Sequence, residues 1–238
     1  MATAVLPELE SAPRAVAPWW HTALLVAFFI LMAAGGASLQ HGARGRANLV
    51  EQRPDMAVLY LSLIAGEWAL VYYVWRGLRR REVGVLALVG GRWTRPRDVL
   101  RDVSLACGIW VVWKGVLFLL EHTLGTDHAA SISPLTPRGA SEAALWVLLS
   151  ISAGIAEELV FRGYLQRQLT AFTGRIPLAV VAQAAVFGIA HGYQGVHSCL
   201  AIAAYGLLFT LVALWRNSLR PGMMAHAWTD IAGGLLGW

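Results

Sequence analysis

The chain is built as a succession of apolar runs, each roughly 17–25 residues long, divided by short segments rich in arginine. A run of that length coils into a helix long enough to cross about 30 Å of hydrocarbon. Composition agrees: 57% of the 238 residues are hydrophobic and only 14% are charged, whereas a soluble domain carries about a quarter charged residues. The expected fold class is therefore all-α, a polytopic transmembrane helical bundle forming one integrated domain.

Seven spans can be placed: Trp19–Leu39, Met56–Trp75, Val99–Leu120, a fourth from Ala143 that continues past Arg162 toward Phe172, Ile176–His191, Cys199–Trp215 and Gly222–Trp238. Val83–Gly91 is too short to cross and reads as an interfacial or re-entrant piece, which would make an eighth element. The amino-terminal segment lacks the basic start and prompt apolar core of a cleavable signal peptide, so the first run is expected to stay as a span.

Loop charges suggest the orientation. Eight arginines, at positions 76, 79, 80, 81, 92, 95, 97 and 101, follow the second run, and Arg167, Arg175, Arg216 and Arg220 mark two later turns. Cytoplasmic loops carry such an excess. The segment Glu121–Glu142, with three acids and one arginine, then lies outside. This puts the amino terminus in the cytoplasm and the protein in the cell (inner) membrane, with Arg44, Arg46 and Arg53 dissenting on the outer side. Because the arginines punctuate apolar runs, they indicate topology and no nucleic-acid partner. Cys107 and Cys199 lie in apolar segments without metal-ligand spacing and read as structural thiols.

Against this apolar background a few polar residues stand out. Charge at bilayer depth is kept only where it faces protein or a wet cavity. Glu157 and Glu158 are adjacent in AEELVFRG, with Arg162 four residues beyond Glu158. On a helix Glu158 and Arg162 share a face in the favourable order for an ion pair, while Glu157 is rotated about 100° away. Glu158 becomes the structural acid and Glu157 the free one, a candidate general base. The fifth span ends in Phe187 and His191, four apart, and the seventh carries His226 and Asp230 at the same spacing. Counting helical rise places His191 deeper than His226. Glu67 in the second span and Lys114 in the third are expected to form a structural ion pair.

Two chemistries suit these residue types. In one, Glu157 and His191 activate a water that attacks a peptide carbonyl, and His226 with Asp230 stabilises the oxyanion. In the other, Glu157, His191 and His226, with or without Asp230, hold a zinc ion that activates the water. The HExxH spacing of zincins is missing; the metal-free version is preferred and zinc stays open.

EELVFR, FGIAH and HAWTD match in order the EExxxR, FxxxH and HxxxB motifs of the CPBP family. The chain thus resembles intramembrane endopeptidases similar to the Rce-type CAAX prenyl protease and to the bacteriocin-immunity (Abi) proteins. The resemblance covers about Ala143–Trp238, a catalytic core behind amino-terminal helices 1–142. It implies Glu157 as water-activating base, His191 as its partner, and His226 with the residue at 230 as oxyanion site; Glu158, Arg162 and Phe187 support them. Many members carry asparagine where this chain has Asp230. The implied substrate is a membrane-anchored or lipidated protein, cut near its carboxy terminus or membrane segment. Two other readings stay open on the residues alone: a non-proteolytic immunity or membrane binding protein, and a small proton-coupled transporter.

Overall fold

A computed structural model of the chain describes residues 14–44, 53–124 and 133–237. Among them the α-helices are α1 (Trp19–Arg44), α2 (Met56–Arg79), α3 (Val85–Val89), α4 (Pro96–Leu124), α5 (Ala140–Glu157), α6 (Gln166–Thr173), α7 (Ile176–Ala190), α8 (Val196–Arg216) and α9 (Arg220–Leu236). A π-helix, Glu158–Leu165, joins α5 to α6 as one 34-residue rod. No strand occurs among the described residues; Gly90 and Ser218 form only an isolated bridge. Arg46, Trp238 and residues 1–13 lie outside the described set.

Local chemistry sets the helix ends. Asp55 caps α2 by accepting from the amides of Ala57 and Val58. Pro96 opens α4, where Asp98 accepts from the amides of Thr94 and Arg95. Gly174 and Asn217, both left-handed, close α6 and α8, and prolines stand in the first turns of α7 and α9.

Among the described residues, five segments are long and apolar enough to cross a membrane: 19–36, 56–79, 96–123, 140–173 and 196–216. Large apolar side chains such as Leu31, Val58, Phe118, Val181 and Leu211 point outward, as suits a chain whose solvent is lipid. The protein is an integral membrane protein. The other two expected spans are shorter. The 15 residues of α7 reach about 22 Å, because His191 caps the helix. The 17 residues of α9 include Arg220, His226 and Asp230, which lower its hydropathy.

The rod forms the axis of the bundle, and all eight π-helical residues are buried. Helix α5 packs on α2 and α9, and α7 packs on α8, α6 and α1. Small residues allow the closest approaches. A Cβ at Gly154 would stand 2.7 Å from the Met223 carbonyl, and one at Gly188 would run into that of Cys199; any larger residue would push the helices apart.

Three expectations are corrected or filled in. Glu67 and Lys114 form no ion pair; Glu67 instead accepts from Ser152 Oγ at 2.6 Å, because α5 rather than α4 supplies its neighbour. Val83–Gly91 does not cross. Its helix α3 plugs one end of the bundle, receiving the Leu219 amide on Val89 O (2.8 Å) and Arg167 on Ala87 O and Leu88 O. Arg53, dissenting in the charge count, is bound to Glu142 at 3.0 Å and donates to Thr136 O, so its position is a matter of structure.

Candidate active site

The rod carries the two glutamates at the point where α-helix passes into π-helix. Single π turns inside helices are frequent at functional sites. The Glu158 side chain is fully buried, with Oε1 3.0 Å from Arg162 Nη1. The Arg162 guanidinium lies over the Phe187 ring at 4.1 Å and near Phe209 at 5.7 Å. Phe187 is itself buried, edge-on to Phe161 and to His191. It serves as the floor on which the arginine, and through it Glu158, is held.

Glu158 has a second partner that helical spacing does not reveal. His226 Nδ1 stands 3.0 Å from Glu158 Oε1. A carboxylate paired with arginine only accepts, so Nδ1 is the donor. The other ring nitrogen, Nε2, is then presented to two carboxylates, 3.7 Å from Glu157 Oε2 and 3.7 Å from Asp230 Oδ2. Tyr205 and Phe209 stand edge-on to the imidazole, at 5.4 and 6.0 Å between ring centres. Trp146 Nε1 donates to the Asp230 carbonyl at 2.9 Å, fixing α9 against α5 one turn beyond His226.

His191 caps α7 and its Nδ1 lies 2.9 Å from the Phe187 carbonyl. A carbonyl only accepts, so Nδ1 carries the proton and Nε2 the lone pair. The depth difference counted from straight helices does not separate the histidines: Phe187 lies between them, its ring centre 5.0 Å from His191 and 6.4 Å from His226. Glu157, His191, His226 and Asp230 all line one cavity of about 230 Å³.

Among the residues that the amino-terminal helices add to that cavity, two are charged, Glu67 and Lys114. Sequence alone flags both as intramembrane charges but not what they face. A second, larger cavity of about 640 Å³ runs between α1 and α2, lined by Leu24, Phe28, Phe29, Met32 and other apolar side chains. Glu67, Glu157, His191 and Tyr193 belong to both cavities, so the apolar space ends on the polar cluster.

Among the described residues no three His, Cys, Asp or Glu side chains are grouped closely enough, as they stand, to hold a metal ion. The bond from His226 Nδ1 to Glu158 leaves Nε2 as the nitrogen that a metal would take, and would orient the ring for it. The side chains as arranged offer a carboxylate, an imidazole lone pair, and an imidazole anchored from behind. That set can abstract a proton from water and meet a developing negative charge.

No curated protein and no solved structure matches the chain. A family model does: residues 139–232, which contain Glu157, His191, His226 and Asp230, match the type II CAAX prenyl endopeptidase Rce1-like family. Over that segment the chain is similar to intramembrane endopeptidases of the CAAX type.

Proposed function

We propose that the protein is an intramembrane endopeptidase that hydrolyses a peptide bond near the carboxy terminus, or in the membrane segment, of a lipid-associated or membrane-anchored protein. The observation that carries this reading is the meeting of Glu157 and Asp230 at His226 Nε2, in a cavity shared with His191. In the proposed reaction Glu157 takes a proton from water with His191 Nε2 as second acceptor, and the hydroxide attacks the scissile carbonyl. His226, anchored through Nδ1 by Glu158, meets the oxyanion through Nε2–H when doubly protonated. Asp230 orients that ring or, protonated, donates beside it. The proton held by Glu157 then passes to the leaving amine.

The apolar cavity between α1 and α2 supports entry from the bilayer. Its lining residues Leu24, Phe28, Met32 and Leu63 are exposed on the lipid side, and its inner end reaches Glu157. In this reading residues 143–238 carry the catalytic core, and α1 and α2, from the segment 1–142, wall the substrate path. The arginine-rich end of the bundle is placed in the cytoplasm of the cell (inner) membrane.

The test is cleavage by purified protein in nanodiscs of a membrane-anchored peptide carrying a lipidated residue three positions from its end. Release of a short carboxy-terminal fragment by wild type, and none by Glu157→Gln, is expected. Equal cleavage by the two, or a Glu157→Gln protein that has lost its fold, overturns the assignment of Glu157.

A further inference from the structure

Lys114 is the only lysine in the chain, and α4 places it where a lysine is costly. At about 1.5 Å per residue it lies roughly 27 Å from the Pro96 end of the helix and 15 Å from the Leu124 end. A lysine stem is too short to carry its ammonium to water over the nearer distance. The side chain is half-buried and faces inward, lining the cavity that holds Glu157, His191, His226 and Asp230. No ion pair to Lys114 forms among the described residues, although Glu67 lines the same space. Glu67 is turned to Ser152 on α5. Two other basic side chains at the site are engaged: Arg162 by Glu158, and His226 by the same carboxylate. Lys114 is thus an ammonium with free valence at the wall of the cleavage cavity.

We propose that Lys114 binds the terminal α-carboxylate of the substrate polypeptide, which fixes how far from the chain end the cut is made. This rests on the endopeptidase reading and adds to it a ligand, a free carboxylate, and the residue that receives it. The wall beside Lys114 is made by Trp113, Leu117, Leu59 and Tyr60, so a short apolar peptide tail fits the surroundings and only its end needs a charge partner. A carboxylate entering a low-dielectric cavity alone is strongly disfavoured; a charge-assisted hydrogen bond to an ammonium makes entry feasible. A carboxamide, or a chain continuing past the site, gains nothing from Lys114. The cavity therefore selects a chain end over an internal segment.

The experiment measures equilibrium binding to the full-length Glu157→Gln protein in phosphatidylcholine nanodiscs, so that no peptide is consumed. Two fluorescent lipidated peptides are compared, identical except that one ends in a carboxylate and the other in a carboxamide. The carboxylate peptide should bind at least about tenfold more tightly. Adding Lys114→Gln should remove that ratio by weakening the carboxylate peptide alone, and Lys114→Arg should keep most of it. Unchanged affinity for the carboxamide peptide serves as the control for folding. Binding of both peptides without discrimination, or a ratio that survives Lys114→Gln, overturns the assignment of Lys114 alone. Absence of binding by both peptides removes it together with the endopeptidase reading.

Discussion

Two buried polar clusters lie along the same helical rod, and they differ in how completely their hydrogen bonds are satisfied. The first joins α1 to the carboxy-terminal part of the rod. His21 Nε2 donates to the Tyr73 carbonyl, Tyr164 donates to His21 Nδ1, Thr22 donates to Tyr164, and Gln168 donates to Thr22. Gln168 Oε1 also receives the amides of Val16 and Ala17. Every donor hydrogen in that chain has an acceptor, with Gln168 Nε2 also donating to the Ala17 carbonyl, and the direction of the chain is dictated by the Tyr73 carbonyl at its end. Less than three turns earlier, the second cluster leaves Glu157 Oε2 and Glu158 Oε2 without a hydrogen bond, and Nε2 of His226 faces two carboxylates at 3.7 Å. Buried polar atoms are nearly always paired. The saturated cluster is a lock between helices, and the unsaturated one has room for a water and a substrate.

Substitutions should separate the two clusters by readout. The largest effect is expected from Glu157→Gln, which keeps the shape and removes the base. Cleavage should fall by about 10²–10⁴-fold with the melting temperature unchanged. Retained activity would mean that the unsatisfied carboxylate is incidental. Glu158→Gln, next to it, should act on stability. It leaves the Arg162 guanidinium buried over Phe187 without its carboxylate and releases His226, at a cost of about 3–5 kcal/mol. A stable Glu158→Gln protein by denaturant or thermal unfolding would show that the pair does not hold the rod.

Tyr164→Phe probes the lock. It removes the hydroxyl that links Thr22 to His21, leaving both short of a partner, and should cost about 1–3 kcal/mol. Activity per folded molecule should stay at the wild-type level; a loss of turnover without a loss of stability would merge the two clusters into one system. The smallest effect is expected from Asp230→Asn. Asparagine supplies a permanent donor beside His226, so activity should remain within about tenfold of wild type. A dead Asp230→Asn variant, in a protein that purifies with stoichiometric zinc, would instead make Asp230 a metal ligand.

Sequence reading goes far where the physics is local. Run lengths determine that the chain is helical and membrane-embedded, because hydrocarbon thickness and helical rise leave few alternatives. Four-residue spacings place Glu158 with Arg162, Phe187 with His191, and His226 with Asp230 on common faces, since residues four apart are neighbours on an α-helix and remain close on the wider π turn that carries the first pair. Local reading is weaker where a helix departs from regularity. Nothing in ELVFRGYL announces a π-helix, whose wider turn is stabilised by the packing of all eight of its residues. Seven crossings are expected where five helices among the described residues have the length and hydropathy of a span, since α7 ends at the His191 cap and α9 carries its own polar residues.

Partnerships across helices belong to tertiary structure alone. The bond from His226 to Glu158 joins positions 68 residues apart, and it depends on how α9 leans against the rod. Glu67 meets Ser152 rather than Lys114, because α2 packs on α5 and an acid takes the nearest donor. The gathering of Glu67, Lys114, Glu157, His191, His226 and Asp230 around one cavity follows from the same packing, which small residues such as Gly154 and Gly188 make close enough. Residue types and their spacing thus specify which side chains carry charge into the membrane and which helix face each occupies. Which of them face one another was decided by helix packing, since side chains on separate spans share no periodicity that could register them in advance.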